Sequence, residues 1–199
     1  MTSPRPRNEP DDRERIEREW LDRIRAGDEG AFEAMYRAHV TALCAFADSY
    51  VNSRDDAEEI VQDLFSRLWE QRLTIEMERG MRPYLYSAVR NRALNALRNR
   101  RIERSVHERL LQEDAVRASV DAPSPAEGLL AARDFAEALD RAVAEMPSRC
   151  REVFALLRYR HLTYAETAVV LAISPKTVEI HMSRALALLR ERLAPWIRA

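Results

Sequence analysis

Residues 162–193 read LTYAETAVVLAISPKTVEIHMSRALALLRERL and carry the start and stop signals of two helices joined by a short turn. Thr163 is placed to cap the first helix, and Glu166, three residues later, is placed to complete a capping box. Ser174 is placed to cap the second helix, with Pro175 at the first helical position, where its missing N–H costs nothing. The few residues between the helices form a turn of the length that sets two helices steeply across each other. The sequence therefore predicts a helix-turn-helix.

The second helix of this motif is predicted to be amphipathic. Four residues at helical spacing are expected to pack inward: Val178, Met182, Ala185 and Leu189. The outer side is expected to carry a mixture of donors, acceptors and apolar groups: Lys176, Thr177, Glu179, Ile180, His181, Ser183 and Arg184. Such a mixture suits the base edges and phosphates of a DNA major groove, so we expect this helix to bind duplex DNA.

The composition predicts an all-α chain of two small helical domains. The chain has 199 residues, of which 46% are hydrophobic, and only 4 are glycine. Alternating apolar and polar strand patterns are missing. Cys44 and Cys150 lie far apart in helical patterns, so we expect both to be small core residues rather than metal ligands. We expect no metal, no cofactor and no enzymatic activity, because the sequence offers no nucleophile–base pair and no phosphate-cradling glycine loop.

Helix signals and prolines suggest how the chain is divided. We predict a disordered tail at 1–11, a helical domain at 12–109, a linker at 110–126 and a second domain at 127–199. Helices are predicted at 12–26, from the Asp28 cap to 51, at 54–71, from Pro83 onward, at 127–144 and at 147–159. We see no signal peptide and no apolar run of membrane length, and therefore expect a cytoplasmic protein without membrane insertion.

Charge is segregated within the first domain. Residues 53–80 contain eight acidic residues and four arginines, a net charge of −4, whereas residues 81–109 contain eight arginines and two acidic residues, a net charge of +6. An acidic surface beside a basic one predicts two different partners, one of them nucleic acid.

The helix that follows Pro83 combines aromatic, amide and basic side chains. They are Arg82, Tyr84, Tyr86, Arg90, Asn91, Arg92, Asn95 and Arg98. Aromatic rings offer unpaired bases a stacking surface worth about 1–3 kcal/mol per base, while arginines hold phosphates and asparagine reads the edge of an extruded base. The alternative interpretation is that Tyr84, Leu85, Val89 and Leu97 are core residues and the arginines form a solvated face. We favour a reader of single-stranded DNA at this helix.

Three segments of the chain, in this order, resemble bacterial sigma factors of the extracytoplasmic-function group, within the sigma-70 family. DAEEIVQDLFSRLWEQ at 56–71 resembles the part that docks on RNA polymerase, and PYLYSAVRNRALNALR at 83–98 resembles the −10 element reader. Residues 163–189 resemble the −35 element reader. The resemblance covers about residues 28–195 and implies two helical domains, similar to sigma regions 2 and 4, joined by a flexible linker.

The resemblance implies a transcription initiation factor that binds core RNA polymerase and directs it to promoter DNA. Polymerase docking is expected at Gln62, Asp63, Leu64, Phe65 and Trp69. Together with the residue pattern, the resemblance places the melted −10 strand at Tyr84, Tyr86, Arg90, Asn91, Asn95 and Arg98, with the loop 72–82 helping to hold a flipped base. The −35 duplex is expected at Lys176, Thr177, Glu179, Ile180, Ser183 and Arg184. An anti-sigma protein is a further expected partner.

Two other functions are compatible with parts of the sequence. SPKTVEIHMSRAL, at 174–186, is also similar to the helix-turn-helix of LuxR-type transcriptional regulators, which would make the N-terminal part a sensory or dimerisation domain. A helical adaptor that binds polymerase or another protein without DNA is the third interpretation. The LuxR-type interpretation leaves the single-strand reader and the acidic docking helix unexplained, and the adaptor interpretation requires the exposed recognition face to be incidental.

Overall fold

The structure is a computed structural model that describes residues 9–108 and 130–197, and within these ranges it consists of α-helices and their connecting turns. It divides into two compact units, one within residues 1–107 and one within residues 108–199. The predicted all-α class is therefore confirmed. The predicted linker at 110–126 lies outside the described residues, as do residues 1–8 of the predicted tail.

The N-terminal unit contains four helices: α1 (Glu9–Arg25), α2 (Glu29–Val51), α3 (Arg54–Glu70) and α4 (Met81–Glu108). The turn after α1 needs the positive φ of 86° that Gly27 provides. Asp28 then caps α2 by accepting a hydrogen bond from the Ala31 N–H at 3.0 Å, and Ser53 caps α3 by accepting from the Asp56 N–H at 3.4 Å. The Asp28 cap was predicted from the sequence.

The core of this unit forms where α2, α3 and α4 bury their apolar stripes. Its fully buried side chains include Met35 and Leu43 of α2, Val61, Leu64 and Leu68 of α3, and Leu85 and Val89 of α4. Each such burial stabilises the fold by about 1.5–3 kcal/mol relative to an exposed side chain. The same burial fixes which faces of α3 and α4 remain available to partners.

Two helix starts differ from the prediction by two residues or more. α1 begins at Glu9, inside the predicted tail, and α4 begins at Met81 rather than at Pro83. Pro83 sits in the first turn of α4, where a missing N–H leaves no helical bond unmade, and the Tyr84 N–H makes an early bond to the Gly80 carbonyl at 3.3 Å. A proline near a helix start therefore marks the first turn and not the first residue.

The C-terminal unit contains α5 (Leu130–Ala144), α6 (Ser148–Arg158), α7 (Tyr164–Leu171), α8 (Pro175–Arg192) and the short α9 (Ala194–Ile197). α8 packs against each of the other four helices. The sequence predicted four of these helices and missed α9, and residues 127–129 of the predicted helix 127–144 lie outside the described residues. α8 therefore lies at the centre of this unit, with one side buried in the core and the other exposed to solvent.

Across residues 9–108 and 130–197, none of the helices is both long enough and apolar enough to span a membrane.

Candidate nucleic-acid and partner interfaces

The helix-turn-helix forms as its start and stop signals predict. The Thr163 hydroxyl accepts from the Glu166 N–H at 3.1 Å while the Glu166 carboxylate accepts from the Thr163 N–H at 2.7 Å, which completes the capping box. The Ser174 hydroxyl accepts from the Thr177 N–H at 3.0 Å, and Pro175 is the first residue of α8. Both helices therefore have fixed starting points, which set the direction of α8.

The turn between α7 and α8 places a strained alanine in the left-handed region. Ala172 has a φ of 53° and a ψ of 46°, and its N–H donates to the Val169 carbonyl at 3.2 Å. The next N–H, of Ile173, donates to the Ala168 carbonyl at 3.0 Å. A non-glycine residue in this conformation costs roughly 1 kcal/mol. The two hydrogen bonds and the buried side chain of the preceding Leu171 hold the turn in spite of that cost.

The inner face of α8 is the one that the sequence predicted. Val178, Met182, Ala185 and Leu189 are all buried, with Val178 completely inaccessible. Because these four positions face the core, the opposite side of the helix faces solvent.

The outer face of α8 is exposed at most of the predicted DNA-contacting positions. The exposed members are Lys176, Glu179, Ile180, Ser183 and Arg184. Ile180 exposes 44% of its surface. Lys176 and Glu179 form an ion pair with 2.9 Å between Nζ and Oε2. The surface therefore offers a cation, an anion, a hydroxyl and an apolar side chain side by side.

Two residues of α8 are less available than the sequence suggested. Thr177 is half-buried, and its hydroxyl lies 2.8 Å from that of Ser174. His181, expected near the outer side, is half-buried with its Nδ1 3.6 Å from the Sγ of Cys150 on α6. His181 therefore packs towards α6, which corrects its predicted orientation.

The outer face of α4 carries a stripe of polar residues. Tyr84 is half-exposed, and Asn91, Asn95 and Arg98 are exposed. Their spacings of seven, four and three residues place all four on one side of the helix. Arg90 is half-exposed beside this stripe. The stripe thus combines one aromatic ring, two amides and a guanidinium.

Tyr86 does not belong to this stripe. It is only 3% exposed, and its ring packs edge-on against Phe46 of α2, with 5.0 Å between the ring centroids. A ring buried in this way has no free face on which a base can stack, so the predicted role of Tyr86 in DNA binding is corrected to a core role. The helical period predicts this difference, because Tyr84 and Tyr86 are two residues apart and such residues lie on nearly opposite sides of a helix.

A groove lined by aromatic rings runs between α2 and α3. Its volume is about 520 Å³, and its lining residues are Glu29, Phe32, Tyr36, Gln62, Phe65, Ser66 and Trp69. Phe65 forms its floor, with ring centroids 4.8 Å from Tyr36 and 6.1 Å from Phe32. The Phe32 and Trp69 centroids are 5.0 Å apart, and the Arg72 guanidinium lies 4.6 Å from the Trp69 ring centroid. We call this cavity the aromatic groove.

Only part of the predicted polymerase-docking set lies in the aromatic groove. Gln62, Phe65 and Trp69 line it, whereas Leu64 is 1% exposed and belongs to the core, which corrects its predicted surface role. Asp63 is half-exposed and forms ion pairs with Arg67 and Arg92. The hydrogen bond from Arg67, and next the one from Arg92, hold the pKa of the Asp63 carboxyl below its usual range.

The α2 contribution to the aromatic groove was missed from the sequence. No docking role was predicted from the sequence for Phe32 and Tyr36. They lie four residues apart, as they must to share one face of the helix. The four-residue spacing of Phe65 and Trp69 on α3 is the matching signal.

A second groove between α2 and α3 contains Cys44. Its volume is about 410 Å³, and Tyr36, Arg54 and Glu58 are among its lining residues. Cys44 is half-exposed, and burial raises the pKa of its thiol. Its predicted core position is therefore only partly correct, whereas Cys150 is buried as expected. Among the described residues, His, Cys, Asp and Glu side chains form no cluster suited to a metal ion.

Comparison with known proteins finds the same family at both ends of the chain. Residues 35–102 match the family described as Sigma-70 region 2, and residues 136–189 match Sigma-70, region 4. The RNA polymerase sigma factor NccH of Alcaligenes xylosoxydans xylosoxydans is 28% identical over 165 residues, which cover 83% of this chain and 88% of NccH. The RNA polymerase sigma factor CnrH of Cupriavidus metallidurans is 27% identical over 165 residues, which cover 81% of this chain and 86% of CnrH.

Solved structures of sigma factors have a similar fold. CnrH in complex with the cytosolic domain of CnrY gives a TM-score of 0.62 at 22% identity, covering 90% of this chain and 98% of that one. The sigma factor RpoE in complex with the anti-sigma factor NepR from Bartonella quintana gives a TM-score of 0.59 at 23% identity, covering 82% of this chain and 96% of RpoE.

Proposed function

The chain belongs to the extracytoplasmic-function group of the sigma-70 family, and from this premise we propose how its surfaces divide the work of promoter recognition. As a sigma factor, it binds bacterial core RNA polymerase and directs it to promoters. We propose that α8 binds the −35 duplex, that α4 binds the melted −10 strand and that the aromatic groove binds core polymerase. The observation that carries it is the presence, on one chain, of two solvent-facing polar helix surfaces of different chemistry. The match to region 4 over the helix-turn-helix gives no support to the LuxR-type alternative.

The outer face of α8 suits a major groove. Arg184 offers a guanidinium to guanine edges or phosphates, and Ser183 offers a hydroxyl that is both donor and acceptor. Ile180 offers an apolar contact of the kind that thymine methyl groups accept. Glu179 can accept from the amino group of cytosine, and its pairing with Lys176 offsets the repulsion between its carboxylate and DNA phosphates. We therefore propose Lys176, Thr177, Glu179, Ile180, Ser183 and Arg184 as the −35 contact set, with Thr177 at its edge.

Replacing Arg184 by alanine is expected to weaken binding of the −35 duplex by about 1–3 kcal/mol if the side chain contacts a guanine. If it contacts a phosphate, the slope of the logarithm of the binding constant against the logarithm of the salt concentration is expected to become smaller by about one. Lys176→Ala is expected to act in the same direction but more weakly, because Lys176 already has a partner in Glu179. Fluorescence anisotropy with duplex DNA at several salt concentrations measures both. Arg190→Ala, at an exposed arginine near the end of α8, is the matched control. Unchanged affinity in Arg184→Ala removes that residue from the interface.

The stripe on α4 suits an unpaired strand. Tyr84 offers a ring for stacking, Asn91 and Asn95 offer amides to base edges, and Arg98 with Arg90 offers guanidinium groups to phosphates. These contacts form only with the unpaired strand, so they stabilise the opened promoter and offset the few kcal/mol that each extruded base costs. Tyr86 is left out of this set because it is buried.

Asn91→Ala is expected to slow promoter opening about tenfold, because the strand loses one side-chain partner while polymerase docking is untouched. The rate of open-complex formation, followed by the permanganate reactivity of unpaired thymines, measures the effect. Asn99→Ala removes the same side chain further along α4, outside the proposed set, and is the control. Loss of polymerase binding in Asn91→Ala would show that the surfaces of α3 and α4 are divided incorrectly.

The aromatic groove suits a helical partner from polymerase. Its apolar floor and the acidic residue Glu29 at its edge favour a helix with apolar and basic side chains. We therefore propose Gln62, Phe65 and Trp69, together with Phe32 and Tyr36, as the polymerase-docking set.

Three further properties follow from the proposed function. An anti-sigma protein is a proposed partner, in keeping with the complexes in which CnrH and RpoE were solved. The chain is proposed to have no catalytic role of its own, because strand capture and duplex binding need no covalent step. A protein that works with core polymerase is proposed to act in the cytoplasm.

The direct test is run-off transcription with purified chain and sigma-free core polymerase on fragments of its own genome, beginning with the DNA upstream of its gene. Specific transcripts that require the protein are expected. Stable duplex binding without polymerase association or transcripts would favour a regulator instead, and polymerase association without DNA binding would favour the adaptor.

A further inference from the structure

Two ion pairs join the docking helix α3 to the −10 helix α4. The Nε of Arg92 lies 3.1 Å from Oδ2 of Asp63, and Nη2 of Arg100 pairs with Oδ2 of Asp56. The acids are seven residues apart on α3 and the arginines eight apart on α4, in opposite chain order. At 1.5 Å per residue these intervals are about 10.5 Å along α3 and 12 Å along α4. Because the two lengths nearly match, both ion pairs can form between these antiparallel helices.

The four side chains of these ion pairs are 28–44% exposed, and Asp63, Arg92 and Arg100 each make a further contact. The other oxygen of Asp63 accepts from Arg67 at 2.9 Å, so both carboxylate oxygens are occupied by arginine. The Arg92 side chain is 28% exposed and also donates to the Ala88 carbonyl at 3.4 Å. Arg100 donates to the Val51 carbonyl at 3.4 Å as well. Charge-assisted hydrogen bonds at partly buried sites are stronger than exposed pairs.

The position of Arg92 on α4 relates these contacts to DNA. Arg92 follows Asn91 directly and precedes Asn95 by three residues. Successive residues are turned by about 100° around a helix axis, so an arginine fixed to α3 sets the direction in which the neighbouring amides face. A small rotation of α4 would move both asparagines together.

We infer that Asp63 is a positioning residue for the −10 strand, acting through Arg92, rather than a contact for polymerase. Asp56 acts in the same way through Arg100. This inference rests on the proposed function, because it presumes that α4 binds the opened strand. It gives Asp63 a different role from Gln62, Phe65 and Trp69, which line the aromatic groove.

The test compares two affinities in the same variants. One is the affinity of the chain for core polymerase, and the other is the affinity of the assembled holoenzyme for a fluorescent −10 non-template oligonucleotide from a promoter found by run-off transcription. Asp63→Asn and Arg92→Gln are each expected to lower strand affinity about tenfold, and the double variant no further, while polymerase affinity changes less than about twofold. Asp63→Glu is expected to recover most of the lost strand affinity. Arg67→Gln, which removes a partner of the same carboxylate within α3, is the control and is expected to change neither affinity.

Each alternative gives a different outcome. If Arg92 contacted a DNA phosphate directly, Asp63→Asn would release it and leave strand affinity unchanged or higher, which would overturn the inference. A loss of polymerase affinity in Asp63→Asn but not in Arg92→Gln would make Asp63 a docking residue and would also overturn it. Thermal melting checks that the variants fold, and Arg92→Lys replaces Arg92→Gln if the latter is unstable. Failure of the unaltered chain to bind polymerase would instead contradict the proposed function.

Discussion

Trp69→Ala is expected to weaken binding to core polymerase by about 2 kcal/mol or more, which is about thirtyfold. Its ring is half-buried at the edge of the aromatic groove, 5.0 Å from Phe32, with the Arg72 guanidinium over it. A large aromatic side chain that is already held by its neighbours loses little conformational entropy when a partner covers it. Removing it takes away the contact area and loosens the rest of the groove.

The matched control for this prediction is Trp20→Ala. Trp20 is a half-buried tryptophan of the same unit, but it lies on α1 and contacts His39 rather than the groove. Titration of each variant with core polymerase gives the two affinities, and thermal melting gives the accompanying loss of stability. Equal losses of affinity in the two variants would mean that Trp69 acts through stability alone, and an unchanged affinity in Trp69→Ala would remove the groove from the polymerase interface.

The N-terminal unit is expected to lose about 2 kcal/mol of stability between pH 7 and pH 5 because of His39. Burial, followed by the nearby positive charges of Arg82 and Arg13, lowers the pKa of this imidazole from 6.5 to about 4. The unfolded chain then binds a proton that the folded chain excludes. The stabilising contribution is therefore complete above pH 6.5 and is lost as the pH falls towards 4. Asp28, Asp56 and Asp63 have pKa values below the usual 3.8 in the folded chain. Their stabilising contributions are therefore present above that pH and are lost only in more acidic solution.

A proton NMR titration measures this pKa directly, and His39→Leu identifies the resonance. We expect a midpoint near pH 4 for His39, and a shallower dependence of the urea midpoint on pH in His39→Leu than in the unaltered chain. A His39 midpoint near 6.5 would contradict the prediction, because it would mean that the imidazole stays solvated in the folded protein.

Features that depend on a few neighbouring residues were predictable from the sequence. The capping box of Thr163 and Glu166, the Ser174 cap and the inward positions of α8 all follow from spacing within a single helix turn or two. Their physical causes are local hydrogen bonds and helical periodicity, which act within about ten residues. This is why the exposed side of α8 was predicted nearly completely, with the half-buried Thr177 and His181 as the exceptions.

Features that depend on packing between helices were not predictable in the same way. The packing partner of Tyr86, the burial of Leu64 and the contribution of Phe32 to the aromatic groove each require knowledge of which helix lies opposite. The pairing of Asp63 with Arg92 joins residues 29 positions apart. Charge counts predicted an acidic and a basic surface on this unit, but part of that charge is used within the unit to hold α4 against α3.

The central claim is that α8 acts at the −35 element and α4 at the −10 element, and it is tested most directly by combining protein variants with altered promoters. Transcription is measured for the unaltered chain, Arg184→Ala and Asn91→Ala on the natural promoter, on one with a substituted −35 element and on one with a substituted −10 element. We predict that the Arg184→Ala defect disappears on the −35 substituted promoter and persists on the −10 substituted one, and that Asn91→Ala shows the converse. Defects that are the same on all three promoters, or that disappear at the opposite element, would contradict the account.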